Sequence, residues 1–213
     1  MSVHALICCD GGQERELGTG HIARCLAIAG DLRLLGCDAA FLMKPGAMSR
    51  RVQGAGFQVM ARGAGISEFE SIAGAATELG AAVVLLDNLG RSGAAIGQLR
   101  STGLIVLSID DPNNPARSDL SINPAFWGCG ATVEGFGYTI LTGMGGAAAS
   151  PKPSYPERNL VVASFGGFDP GCFLEMFMEA WSAMEPGCEA VVAAASSHSR
   201  FDELESKAAE TSN

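Results

Sequence analysis

Two stretches, "AAVVLLDN" from Ala81 to Asn88 and "LIVLSIDD" from Leu104 to Asp111, are near-continuous apolar runs of strand length that end in acids or amides. A strand that alternates apolar with polar residues can leave one face in water, whereas a strand without alternation needs cover on both faces. Helices on the two sides of a parallel sheet supply that cover. The carboxyl ends of such central strands then deliver polar groups to a crevice.

The rest of the chain keeps the same rhythm of short apolar runs and helix-like segments. Strands are expected near Val3 to Cys9, Ala39 to Met43, Phe57 to Ala61, Ala82 to Asp87, Leu104 to Ile109 and Leu120 to Asn123, with a short one at Tyr138 to Leu141. Helices are expected over Gly20 to Leu35, Ser67 to Leu79 with Ser67 as cap, and around Gly93 to Ser101, with a further segment from Gly46 to Gly54. Strand and helix in alternation, with short connections, means right-handed crossovers and a mostly parallel sheet. Gly, Ala, Ser and Pro then dominate without a period, which reads as a linker over residues 145–158. A second unit over residues 159–213 follows: strand "NLVVAS", loop "FGGFDP", a helix from Pro170 to Pro186-Gly187, strand "EAVVAAA" and a polar helix. In the Phe173 helix the stripe of Phe173, Met176, Phe177, Ala180, Trp181 and Met184 reads as core packing. The class is therefore α/β, a Rossmann-like parallel-sheet domain over residues 1–144 followed by an incomplete second Rossmann-like unit. Its two-strand sheet leaves an open edge, expected to be covered by a partner or a second copy.

A formal charge of -9 and a pI near 4.8 argue against nucleic acid and against an anionic membrane surface, both of which need clustered cations. Up to Arg62 the chain carries seven Lys/Arg and five Asp/Glu; of the 14 and 23 in the whole chain, seven and eighteen remain for the rest. A small anionic ligand near the first third fits this distribution, as does a chance surface pattern. Seven cysteines without a C-x-x-C pair read as buried reduced thiols of a cytoplasmic protein. No signal peptide and no membrane span is expected.

The chemistry gathers at "GTGHIARCLAIAGDL", Gly18 to Leu32. Gly18-Thr19-Gly20-His21-Ile22-Ala23 satisfies G-x-G-x-x-A, but residues 10–17 separate it from the first strand, and the second strand ends at Met43-Lys44 rather than in an acid. No dinucleotide cofactor is expected. Glycines at a helix mouth can still bring backbone N–H groups to an anion. The same dipole disfavours a cationic imidazole, so His21 reads either as a neutral base or as a residue packing the helix start. Asp10 closes the first strand and could orient His21 or bind a sugar hydroxyl. Asp87-Asn88 and Asp110-Asp111 end further strands, where acid–base work and an ordinary Asx turn are both open. "SFGGFDP" makes a second helix mouth, able to hold a diphosphate or to be a plain turn. His4 and His198 read as structural and solvated. No carboxylate–histidine grouping suggests a metal.

In this order, "CDGG…LGTGHIARCLAIAGDLRLLG", "VVLLDNLG", "LIVLSIDD", "GYTIL" and "VVASFGGFDP" resemble the UDP-sugar hydrolases of pseudaminic acid biosynthesis and the related spore-coat polysaccharide proteins (PseG/SpsG-like), from about Leu6 to Pro170. The resemblance implies a GT-B-like fold and hydrolysis of a UDP-linked diacetamido-trideoxy sugar. His21 would activate the attacking water, with Asp10 as the second catalytic group. Gly18, Thr19, Gly20, Arg24, Asn88, Asp111, Phe165, Gly166, Gly167 and Asp169 would contact substrate, with no metal or cofactor. Where the family has D-H-Y-G this chain has Asp87-Asn88-Leu89-Gly90. The family's second domain also continues past position 213, so a fragment, or a protein that lacks most of the nucleotide half, is expected. A GT-B glycosyltransferase and a non-catalytic nucleotide-sugar-binding or assembly protein remain the alternatives.

Overall fold

The apolar runs pair side by side. The computed structural model describes residues 4–9, 20–63, 65–87, 93–109, 117–124, 128, 130–135, 140, 160–165, 169, 171–183, 187–194 and 200–211. Strands β1 (His4–Cys9), β2 (Asp38–Met43), β3 (Gln58–Ala61), β4 (Ala81–Asp87), β5 (Ile105–Ile109), β6 (Leu120–Asn123) and β7 (Val133–Glu134) form a parallel 7-stranded sheet in the order β3-β2-β1-β4-β5-β6-β7. The order reverses between β1 and β4, which makes the seam between them the topological switch point of a doubly wound sheet.

Helices α1 (Gly20–Leu34), α2 (Ala47–Gly54), α3 (Glu68–Leu79) and α4 (Gly93–Ser101) cover both faces. Strand alternation decides which residue meets which helix. Leu6, Cys8, Leu42, Val84, Leu86 and Val106 face α3 and α4. Ile7, Cys9, Phe41, Met43, Leu85 and Ile109 face α1 and α2, packing on Ile22, Cys25, Ala29 and Val52. The Ser67 cap is present as a full capping box: Glu70 N–H donates to Ser67 Oγ at 3.2 Å and Ser67 N–H to Glu70 Oε2 at 2.9 Å. Gly80, in the left-handed region at φ 66°, ends α3.

The chain divides into two compact units, and the second holds a 2-stranded parallel sheet, β8 (Leu160–Ala163) with β9 (Glu189–Val192), and helices α5 (Phe173–Ser182) and α6 (Phe201–Thr211). Its core is Leu174, Met178 and Leu204, with Phe177, Val192 and Ala194 packed against them. The apolar stripe expected to be core is therefore only partly so: Phe173 and Met176 are exposed, because two strands are too narrow to cover a wide helix face. Leu160, Val162 and Val191 of the sheet are exposed as well.

Three expectations need correction or fall outside the described residues. Helix α5 starts at Phe173 rather than Pro170, since Asp169 (φ 40°) and Cys172 (φ 53°) are left-handed and cannot continue a helix. The strand expected over Tyr138 to Leu141 lies mostly outside the described residues, and β7 was not expected at all, two residues being too few to leave an alternation. Cys8, Cys9 and Cys25 are buried free thiols, whereas Cys172 is exposed; Cys129 is outside the described residues.

Leu86→Ala, which opens a cavity between β4 and the α3–α4 layer, is expected to lower the unfolding free energy by about 3 kcal/mol, and Ser67→Ala by about 1 kcal/mol. Urea unfolding of the two variants checks this, and equal losses would contradict the burial described for Leu86.

Candidate functional site

Register and periodicity bring four polar side chains to the switch point. Cys9 lies beside Asp87 across the β1–β4 pair, at the carboxyl ends of both strands. Alternation turns Asp87 to the same face as Leu85, toward α1. On α1, His21, Arg24 and Cys25 stand at positions i, i+3 and i+4, one above the other on a single helical face. All three reach the Asp87 carboxylate. His21 Nδ1 is 2.6 Å from Oδ1, Arg24 Nε donates to Oδ2 at 2.5 Å, Arg24 Nη2 donates to Oδ1, and Cys25 Sγ donates to Oδ2 at 3.3 Å. The Asp87 side chain is 0% exposed, His21 11% and Arg24 16%, so the cluster is nearly dry but the ring keeps an outlet.

Burial is the largest single influence on the Asp87 carboxyl and pushes its pKa up. The hydrogen bonds and charges of Arg24 and His21 outweigh it, so the net shift is below the usual value. Asp87 is therefore an ionised carboxylate, which can only accept hydrogen bonds. The Cys25 thiol is pushed well above its ordinary pKa by its hydrogen bond with Cys9, by burial and by the Asp87 carboxylate, so it stays a donor. Because Oδ1 only accepts, the proton of the 2.6 Å contact belongs to Nδ1 of His21. In the neutral ring this leaves the lone pair on Nε2, the form of imidazole that can take a proton from an O–H group.

Of the residues singled out by sequence, His21 and Arg24 are together in this cluster. Arg24, expected to touch substrate, directs Nε and Nη2 to Asp87. Gly20 opens α1, and among the described residues no atom outside its chain neighbours and its own helical turn lies within 4 Å of where a side chain would begin. Asp169 is buried, and its carboxylate accepts from Phe173 N at 2.9 Å and Leu174 N at 2.7 Å, capping α5 where a substrate contact was expected. The Phe165 ring is exposed and lies 5.6 Å from the Phe173 ring. Asp10, Gly18, Thr19, Asn88, Asp111, Gly166 and Gly167 lie outside the described residues. Sequence reasoning missed Asp87 as the partner of His21, although two signals were present: it ends a central strand, and the helix face it meets carries an imidazole and a guanidinium. Among the described residues, no group of three or more His, Cys, Asp or Glu is placed to hold a metal ion. Nor is any helix among them long and apolar enough to cross a membrane.

No protein-family model matches the chain, and no curated protein matches it. Solved structures do. MurG of Acinetobacter baumannii superposes with a TM-score of 0.62 at 17% identity, covering 98% of this chain and 64% of its own. A glycosyltransferase of Rickettsia africae gives 0.63 at 10% identity, covering 99% and 64%. The lipopolysaccharide outer core galactosyltransferase WaaB gives 0.51 at 7% identity, covering 99% and 65%. The chain thus spans just under two thirds of the length of each. The latter two are named as a glycosyltransferase and a galactosyltransferase, and the α/β fold of this chain is GT-B-like.

The depressed carboxyl pKa has a consequence for stability. Asp87 binds its proton more weakly folded than unfolded, so its contribution is fully present above about pH 4 and is lost as pH falls through the lowered value. Asp87→Asn is expected to lower stability at neutral pH by about 3 kcal/mol by removing the buried charge that Arg24 and His21 both contact. It should also flatten the acid side of the stability profile. Urea unfolding at neutral pH and below pH 4 measures both, and parallel acid slopes for the two proteins would contradict the assignment.

Proposed function

We propose that the chain acts on a nucleotide-linked sugar, with His21 as the general base and Asp87 as the group that orients it. What carries this reading is the His21–Asp87 pair at the carboxyl edge of the sheet, at the switch point where open α/β sheets bind ligands. The GT-B-like fold supports it, since the named neighbours are glycosyltransferases. In the proposed reaction, Nε2 removes the proton of an O–H group as its oxygen bonds to the anomeric carbon. The bond from that carbon to the diphosphate oxygen breaks, and its electron pair leaves with the nucleoside diphosphate. Attack from the face opposite the leaving group inverts the carbon. The amino terminus of α1 offers first-turn N–H groups that have no acceptor within the helix and the positive end of a helix dipole for developing negative charge.

The nucleophile distinguishes two readings. With water the protein is a nucleotide-sugar hydrolase, as the resemblance of "GTGHIARCL" to the pseudaminic-acid UDP-sugar hydrolases implies, and the substrate is then a UDP-linked diacetamido-trideoxy sugar. With an acceptor hydroxyl it is a glycosyltransferase, as the names of two of the structural neighbours suggest. Substrate contacts at Gly18, Thr19, Gly20, Asn88, Asp111, Phe165, Gly166 and Gly167 belong to the same proposal. Asp10 belongs to it as a second catalytic group beside the His21–Asp87 pair.

The test is release of UDP from UDP-N-acetylglucosamine and from UDP-linked diacetamido sugars by the full chain, with and without an acceptor sugar. Release without acceptor is the hydrolase outcome, and acceptor-dependent release is the transferase outcome. In either case His21→Ala is expected to slow turnover by about 10²–10⁴-fold, the range that a positioned general base supplies. Turnover that survives His21→Ala unchanged would remove the base assignment, and binding without release would overturn the enzymatic reading.

A further inference from the structure

We propose that Arg24 is the positioning residue of this site: by clamping both oxygens of Asp87 it holds the carboxylate in the one orientation that keeps the His21 proton on Nδ1. Its catalytic meaning rests on the base assigned to His21, but the tautomer itself is read without substrate, so the two can fail separately.

The geometry contains two competing hydrogen-bond schemes. Arg24 Nη2 lies 3.0 Å from His21 Nδ1 as well as against Asp87 Oδ1. In the first scheme Nδ1–H donates to Oδ1 and Nε2 is left with its lone pair. In the second, Nδ1 is bare and accepts from Arg24 Nη2, so the ring proton sits on Nε2 and the base is lost. The second scheme would set two lone pairs against each other across the 2.6 Å between Nδ1 and Oδ1. It becomes favourable only when the carboxylate turns away.

Arg24 prevents that turn. Nε holds Oδ2 at 2.5 Å while Nη2 holds Oδ1, a two-point grip on a planar anion, and Cys25 Sγ adds a third donor on Oδ2 at 3.3 Å. The carboxylate is 0% exposed, so no solvent site offers its oxygens an alternative set of donors. The same guanidinium that could donate to a bare Nδ1 thus enforces the tautomer in which Nδ1 does not accept. A lysine, a single point charge on a flexible stem, keeps the charge without the two-point grip.

The experiment is nitrogen NMR of the ring nitrogens in uniformly labelled full chain at about pH 9.5, where imidazole side chains are neutral. The chain has only three histidines, and His21→Asn assigns the signal. Wild type is expected to show His21 with a protonated Nδ1 and a bare Nε2. Arg24→Met, checked by circular dichroism for an unchanged fold, is expected to lose that single state, its two nitrogen shifts moving toward each other as the tautomers mix. Arg24→Lys is expected to mix them as well. A protonated Nε2 in the wild type would overturn the proposal, and so would an unaltered Nδ1–H signature in folded Arg24→Met or in Arg24→Lys. Should Arg24→Met not fold, the wild type and Arg24→Lys decide.

Discussion

A single carboxylate that water does not reach organises the first unit. Asp87 ends a central strand, and removing its charge from solvent costs several kcal/mol unless donors replace the lost water. The replacement comes from one helical face, through the imidazole of His21, the guanidinium of Arg24 and the thiol of Cys25. Those contacts are separated from Asp87 by more than sixty residues of chain, so they tie the start of α1 to β4 across the seam where the sheet order reverses. The exposed pairs Lys207–Glu179 and Arg200–Glu203 are of a different kind, being screened by solvent and worth little.

The position of the carboxylate follows from the fold rather than from a local motif. In a parallel sheet every strand ends at the same edge, and helices begin just beyond it. A polar residue at a strand end therefore meets the amino-terminal turn of a helix wherever alternation points it that way. Leu85 and Asp87 share a face, and that face belongs to α1. At the neighbouring carboxyl ends the same edge offers Met43, which is buried, and Ile109, which is also buried. Among the described strand ends near β1, the ionised group is at β4 alone, and the imidazole is drawn to it.

Strands β1, β2, β4 and β5 were legible because they lie in near-continuous apolar runs that require burial on both faces, whereas the two residues of β7 left no pattern. The capped helix α3 was legible because Ser67 and Glu70 form their box within four residues. What involved distant residues was not. The i, i+3, i+4 spacing shows that His21, Arg24 and Cys25 share a face, but no local pattern says which of several strand-end acids that face will meet. Asp10, nearest in sequence, offers itself as a partner and lies outside the described residues, whereas the hydrogen bond that is described spans 66 residues to Asp87. Asp169 illustrates the converse: read as a ligand contact beside two glycines, its carboxylate is occupied by the N–H groups of Phe173 and Leu174. Its left-handed backbone, like that of Cys172, left no mark in the residue types around it.

The two units differ in how far each is a finished piece of physics. In the first, apolar side chains cover both faces of the sheet, and the buried carboxylate of Asp87 has donors on both oxygens. The residues of the proposed base therefore form a set whose geometry is explained from within that unit. In the second, the core rests on Leu174, Met178 and Leu204 while Leu160, Val162 and Val191 of a parallel strand pair remain open. Parallel strands ordinarily draw their stability from burial on both faces, so this unit gains less from its own sheet than the first does. A change at His21, Arg24 or Asp87 then reports on the well-packed unit that contains it. For that reason the chemistry of the ring nitrogen can be tested there before the substrate is known.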